Sequence, residues 1–89
     1  MPSATFTALQ QNKAHTAAIR KLRALPDYGR IMKDAADTVR WWADSLSADG
    51  QAFDIDRMLS VERKTWGDRE LTPSMVEAAL RSAASAVLA

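Results

Sequence analysis

Apolar residues recur along this chain at helical spacing, and most clearly between residues 28 and 46. There Tyr28, Met32, Ala35, Val39, Trp42 and Leu46 alternate in steps of four and three, a heptad seam widened by Ile31 and Ala36. A second stripe, Met75, Val76, Ala79, Leu80, Ala83 and Val87, predicts a helix over 73–88, and its alanines would let neighbours approach closely. His15, Ala18, Ile19, Leu22 and Leu25 share a face within a helix predicted over 7–25, while Phe6 and Leu9 lie off that stripe and suggest an irregular first turn. A shorter helix is expected over 55–66. No segment alternates with period two for the length of a strand. The expectation is an all-α fold: a small bundle of about four helices forming a single domain over 1–89.

Punctuation residues agree with that segmentation. Pro26 ends the first helix, because the residue before a proline is pushed out of the α region. Asp27, Asp54 and Thr72 each stand where an N-cap is needed, and Pro73 suits a first helical position. Phe53 and Met58 have the spacing of a hydrophobic staple. The turn Ser47-Ala-Asp-Gly-Gln offers Gly50 for positive φ, and Gly67 is expected at C′ of the third helix.

Composition narrows the class of activity. Hydrophobic residues at 47% and charged residues at 26% are ordinary globular values. With 89 residues the chain buries roughly 60–65% of its unfolded surface, leaving little room for an enclosed active site. Cysteine is absent, which excludes disulfides and thiolate metal sites and favours a reducing cytoplasm. The opening Met1-Pro-Ser-Ala-Thr-Phe-Thr-Ala-Leu does not read as a signal peptide, and no apolar run approaches the ~20 residues of a membrane span. A soluble protein is expected. The net charge is +1, but residues 1–33 hold six cations against one acid (+5) and residues 34–56 hold six acids against one cation (−5).

The residues that could do chemistry are few. His15 is the single histidine, and no nucleophile, oriented base or converging ligand set accompanies it, so neither catalysis nor a metal or cofactor is expected. The stretch from Ser45 to Asp56 resembles a degenerate EF-hand loop, but Ser45 stands in place of an acidic first ligand and Asp56 in place of the bidentate Glu. A turn followed by a capped helix accounts for every residue in it.

Charged and aromatic residues point to surface recognition instead. On the outer face of helix two, Arg30–Asp34, Lys33–Asp37 and Arg40–Asp44 are i,i+4 pairs that would neutralise that face, each worth ~0.2–0.5 kcal/mol. Lys13, Arg20, Lys21 and Arg23 of helix one remain as a basic group, able to meet the acidic segment of the fold or of a partner, or to contact nucleic acid in a salt-sensitive way. A helix-turn-helix over Ser60–Ala84 would read DNA with Ser74 and Arg81, although its link is long and its reading helix mostly alanine. Trp42 is placed as a core anchor and Trp66 at the bundle end. Trp41, rotated about 100° from Trp42, is left at the margin. The candidate partner-binding set is Trp41, Arg40 and Asp44, with Arg20 and Arg23 of helix one. The nucleic-acid alternative uses Lys13, Arg20, Lys21, Arg23 and Arg81.

The segment from Trp66 to Ala89, Trp-Gly-Asp-Arg-Glu-Leu-Thr-Pro-Ser-Met-Val-Glu-Ala-Ala-Leu-Arg-Ser-Ala-Ala and onward, resembles one found in short helical proteins of phages and prophages. That likeness implies a small accessory protein that occludes a host protein surface, and it carries over no functional residue. The sequence as a whole reads as a non-enzymatic module that binds another protein, or a second copy of itself in a symmetric dimer. The alternative is a small DNA-binding regulator.

Overall fold

The structure, a computed structural model, describes the backbone of residues 4–88 and the side chains of 13–67 and 69–88. Four α-helices follow one another: α1 (Ala4–Arg23), α2 (Tyr28–Ala48), α3 (Ile55–Thr65) and α4 (Pro73–Val87), with a 3-10 turn over Trp66–Arg69. The protein is an all-α bundle in a single domain. Helix α1 opens at Ala4, ahead of the expected start; the side chains of Phe6 and Leu9 lie outside the described residues. It also stops two residues early. Pro26 disfavours α geometry at Leu25, and the chain tightens into 3-10-type bonds from Ala24 N–H to the Lys21 carbonyl (3.3 Å) and from Leu25 N–H to Leu22 (3.0 Å).

Three cap positions behave in two ways. The Asp54 carboxylate accepts from Arg57 N–H at 3.1 Å and the Thr72 hydroxyl from Met75 N–H at 3.2 Å. Both residues have extended backbones, with ψ of 102° and 154°. Asp27 has ψ of 23°, and its side chain makes no cap hydrogen bond, contrary to expectation. Only its carbonyl serves, accepting from Ile31 N–H at 3.0 Å. The turn imposed by Pro26 withholds the extended conformation that aims a capping side chain at the second and third amides.

The two glycine expectations also divide. Gly50, at φ 71°, closes α2 with a Schellman pattern: Gly50 N–H donates to Ser47 and Gln51 N–H to Leu46. Gly67 follows the C-cap Trp66 and so takes the C′ position of α3, but without the left-handed conformation. The chain continues through the 3-10 turn, and Glu70 takes the left-handed conformation at φ 58°. That continuation inserts Trp66 into the core at 2% exposure, with the Arg69 guanidinium 4.5 Å from its ring centroid.

Helix α4 is the hub. Helices α1, α2 and α3 all pack on it in preference to one another. Its buried residues, Met75, Val76, Ala78, Ala79, Leu80, Ala83 and Ala84, cover most of its circumference. Against them lie Ala18 and Leu22 of α1, Met58 and Leu59 of α3, and Ile31, Ala35, Val39, Trp42 and Leu46 of α2. Tyr28 and Met32, expected in the α2 seam, are half-buried at its edge. No described helix is long and apolar enough to cross a membrane.

In the stretch compared with a helix-turn-helix, α4 packs against three neighbours and its Arg81 donates to Glu77 at 2.9 Å. In the stretch compared with an EF-hand loop, residues 45–48 continue α2, Asp54 caps α3 and Asp56 lies in its first turn. Among the described residues no three His, Cys, Asp or Glu side chains converge as a metal site would require.

Candidate interaction surface

Consecutive residues on a helix diverge by about 100°, and Trp41 and Trp42 show the consequence. Trp42 turns inward at 8% exposure, whereas Trp41 is 63% exposed, more than any other large apolar side chain described. The two rings nevertheless touch edge to face, their centroids 5.6 Å apart and their planes at 83°. The buried ring therefore supports the exposed one. The Trp42 indole Nε1–H donates to Glu62 Oε2 at 3.2 Å, which ties α2 to α3. Between the two helices runs an open groove of about 420 Å³, lined by Asp37, Thr38, Trp41, Trp42 and Glu62.

Charges around this groove do not cancel as the sequence suggested. None of the pairs Arg30–Asp34, Lys33–Asp37 and Arg40–Asp44 forms. Asp34 instead accepts from Arg69 at 2.7 Å, and Asp37 accepts from Arg40 at 3.3 Å. Acid-before-cation is the better order on a helix, because each charge then opposes the nearer end of the dipole. The Asp37–Arg40 pair follows that order, and so does Glu77–Arg81. Asp44 and Glu62 form no ion pair among the described residues. Glu62 is half-buried and Asp44 exposed, one turn beyond Trp41.

The expected partner set is thus divided. Trp41, Arg40 and Asp44 share the exposed face of α2, while Arg20 and Arg23 belong to α1 and do not line the groove. Lys13, Arg20, Lys21 and Arg23 are all exposed, and none pairs with the acidic segment among the described residues. Three of them occupy the last turn of α1, where the helix dipole favours cations. Sequence reading missed Glu62, twenty positions from the indole it accepts from, because only the packing of α3 brings it there. Asp37 carried a signal: it lies four residues before Trp41 and so on the same face.

A second groove, of about 530 Å³, runs between α1 and α4 beside Ala14, His15, Ser74, Glu77, Arg81 and Ser85. The Glu77 carboxylate bridges Arg63 at 2.8 Å and Arg81 at 2.9 Å. Partial burial alone would raise its pKa, but the hydrogen bonds and charges of Arg81 and Arg63 outweigh that and hold it below the usual carboxylate range. His15 lines this groove half-buried, and no hydrogen bond joins it to Ser74, Ser82 or Ser85 among the described residues.

No family model matches the chain, and neither a curated protein nor a solved structure is similar to it.

Proposed function

We propose that this chain is a non-enzymatic interaction module that binds another protein through the outer face of α2, with Trp41 as the anchor. The observation that carries this reading is the exposure of Trp41 in a fold that buries its other two tryptophans. An indole held in water beside a groove, with its edge fixed by a second ring, is a large rigid contact with little conformational freedom left to lose on binding. Arg40 and Asp44 flank it and supply polar contacts at the rim. The likeness of the Trp66–Ala89 segment to short phage proteins suits a role in covering a host protein surface, and the lack of cysteine suits the cytoplasm.

The test is affinity capture with the immobilised wild-type protein and its Trp41→Ala variant, using a bacterial lysate. One protein should be retained stoichiometrically by the wild type, and recovery should fall at least about 30-fold with the variant, the size of a hot-spot loss. Far-UV circular dichroism should be the same for both. Equal recovery by a folded variant would sink the reading.

The exposed cations of α1 favour a second reading, contact with duplex DNA through phosphates. Four such contacts predict a log–log salt dependence with slope of about −3.6. Fluorescence anisotropy with a generic duplex measures it, and charge reversal of Arg20 and Arg23 should abolish that binding while leaving protein capture intact.

A further inference from the structure

The groove beside Trp41 has a definite chemical preference. It is lined by the two indoles, set edge to face, whose ring faces are electron-rich and attract cations. The groove is lined by two carboxylates, Asp37 and Glu62, and by no cation among the described residues; Arg40 neighbours Trp41 in the chain. Arg40 is engaged with Asp37 only, through an exposed contact at 3.3 Å of the kind worth at most about 1 kcal/mol. Glu62 is the decisive group. It is half-buried, its Oε2 takes the Trp42 indole proton, and its Oε1 has no partner among the described residues. Such a carboxylate can accept a second, charged donor with little further loss of hydration.

We infer that this groove seats an arginine side chain presented by a basic segment of the partner, a statement that rests on the interaction reading above. The guanidinium lies against the Trp41 ring and donates to Glu62 Oε1. The same chain already holds one such pairing, with Arg69 stacked 4.5 Å from the Trp66 centroid while donating to Asp34 at 2.7 Å. An indole face and a carboxylate recognise a planar cation together there, and the Trp41 groove offers both groups with no cation between them. Arginine suits this seat better than lysine, since its fork can stack and hydrogen-bond at once, whereas an ammonium is a compact, strongly hydrated charge. Arg40 acts against the guest by occupying Asp37 and by like-charge repulsion.

The experiment titrates the full chain, labelled with nitrogen-15, with three acetylated, amidated alanine-rich peptides that carry arginine, lysine or citrulline at the same positions. The indole N–H signals of Trp41, Trp42 and Trp66 are read, each assigned by a Trp→Phe variant. The arginine peptide should shift the Trp41 and Trp42 signals saturably and leave Trp66 in place. Citrulline, which keeps the shape and lacks the charge, should bind at least tenfold more weakly, with lysine between them. Glu62→Gln should weaken the arginine peptide at least fivefold, and Arg40→Ala should tighten it severalfold. Equal binding of the arginine and citrulline peptides, or no effect of Glu62→Gln, overturns the inference. So does a dilution-dependent shift of the Trp41 signal with a dimer in sedimentation, which would put a second copy in the groove. If the peptides fail while Trp41→Ala still abolishes capture, the arginine seat falls and the interaction reading stands. If Trp41→Ala alters neither, both fall.

Discussion

Glu62 and Glu77 are the same residue type, both half-buried, each lining a groove between helices, yet they sit in opposite electrical situations. Glu77 is clasped by Arg63 and Arg81, so the fold itself supplies its counter-charges. Glu62 takes a single neutral indole donor and no cation. A carboxylate of the first kind contributes to holding helices together. One of the second kind leaves an acceptor site open. The contrast separates a surface completed within the molecule from one with unused capacity, and it does so independently of the size of either groove.

The largest expected effect comes from removing the group that links the open carboxylate to the core. Trp42→Ala empties a buried site and deletes the Glu62 donor, and should lower unfolding free energy by about 3–5 kcal/mol. Trp41→Ala, one residue away, should change it by no more than about 0.5 kcal/mol. Urea denaturation of the two variants measures both, and a comparable loss from Trp41→Ala would erase the distinction between supporting and exposed ring.

Next in size is the clasped carboxylate. Glu77→Gln should destabilise by up to about 1 kcal/mol, reflecting partly solvated ion pairs, whereas Glu62→Gln should be close to neutral because an amide oxygen still accepts from Trp42. The pH dependence sharpens the same pair. The folded pKa of Glu77 lies below its unfolded value, so its stabilisation is fully present above the ordinary glutamate range near about 4.3. It is lost as the pH falls through the depressed folded value. Thermal unfolding between neutral and acid pH should show a shallower acid loss for Glu77→Gln than for the wild type. The smallest effect expected is at the 3-10 turn: Glu70→Gly relieves a left-handed backbone at φ 58° and should stabilise by under about 1 kcal/mol, read as a slightly higher urea midpoint.

How much of this was legible in the sequence depends on how local the governing physics is. Helix positions followed from the 3.6-residue period, and the caps at Asp54 and Thr72 were readable because each residue precedes its helix in free, extended chain. Asp27 looked alike in sequence and failed because Pro26 controls its backbone. Gly67 holds the C′ place but not its left-handed conformation: the chain continues as a 3-10 turn with Trp66 buried, and Glu70 makes the left-handed turn instead. The divergence of Trp41 from Trp42 was legible, since it needs only helix geometry. Partner choice among charges was not. Asp34 is claimed by Arg69, thirty-five positions away, and Glu62 is set by α3 packing across α2. Such pairings exist only once the tertiary fold is in place.

The hub position of α4 has a consequence for how this chain acquires its structure. Of the four helices α4 is made last, yet it is the one on which the other three depend. During synthesis, at about 5–20 residues per second, the apolar stripes of α1, α2 and α3 emerge before the surface that covers them. Helices of eleven to twenty-one residues have little stability alone in water, and these three have few contacts with one another to compensate. The surface on which α1, α2 and α3 pack is therefore present only once the alanine-rich helix has been made, so the element synthesised last is the one the others need first.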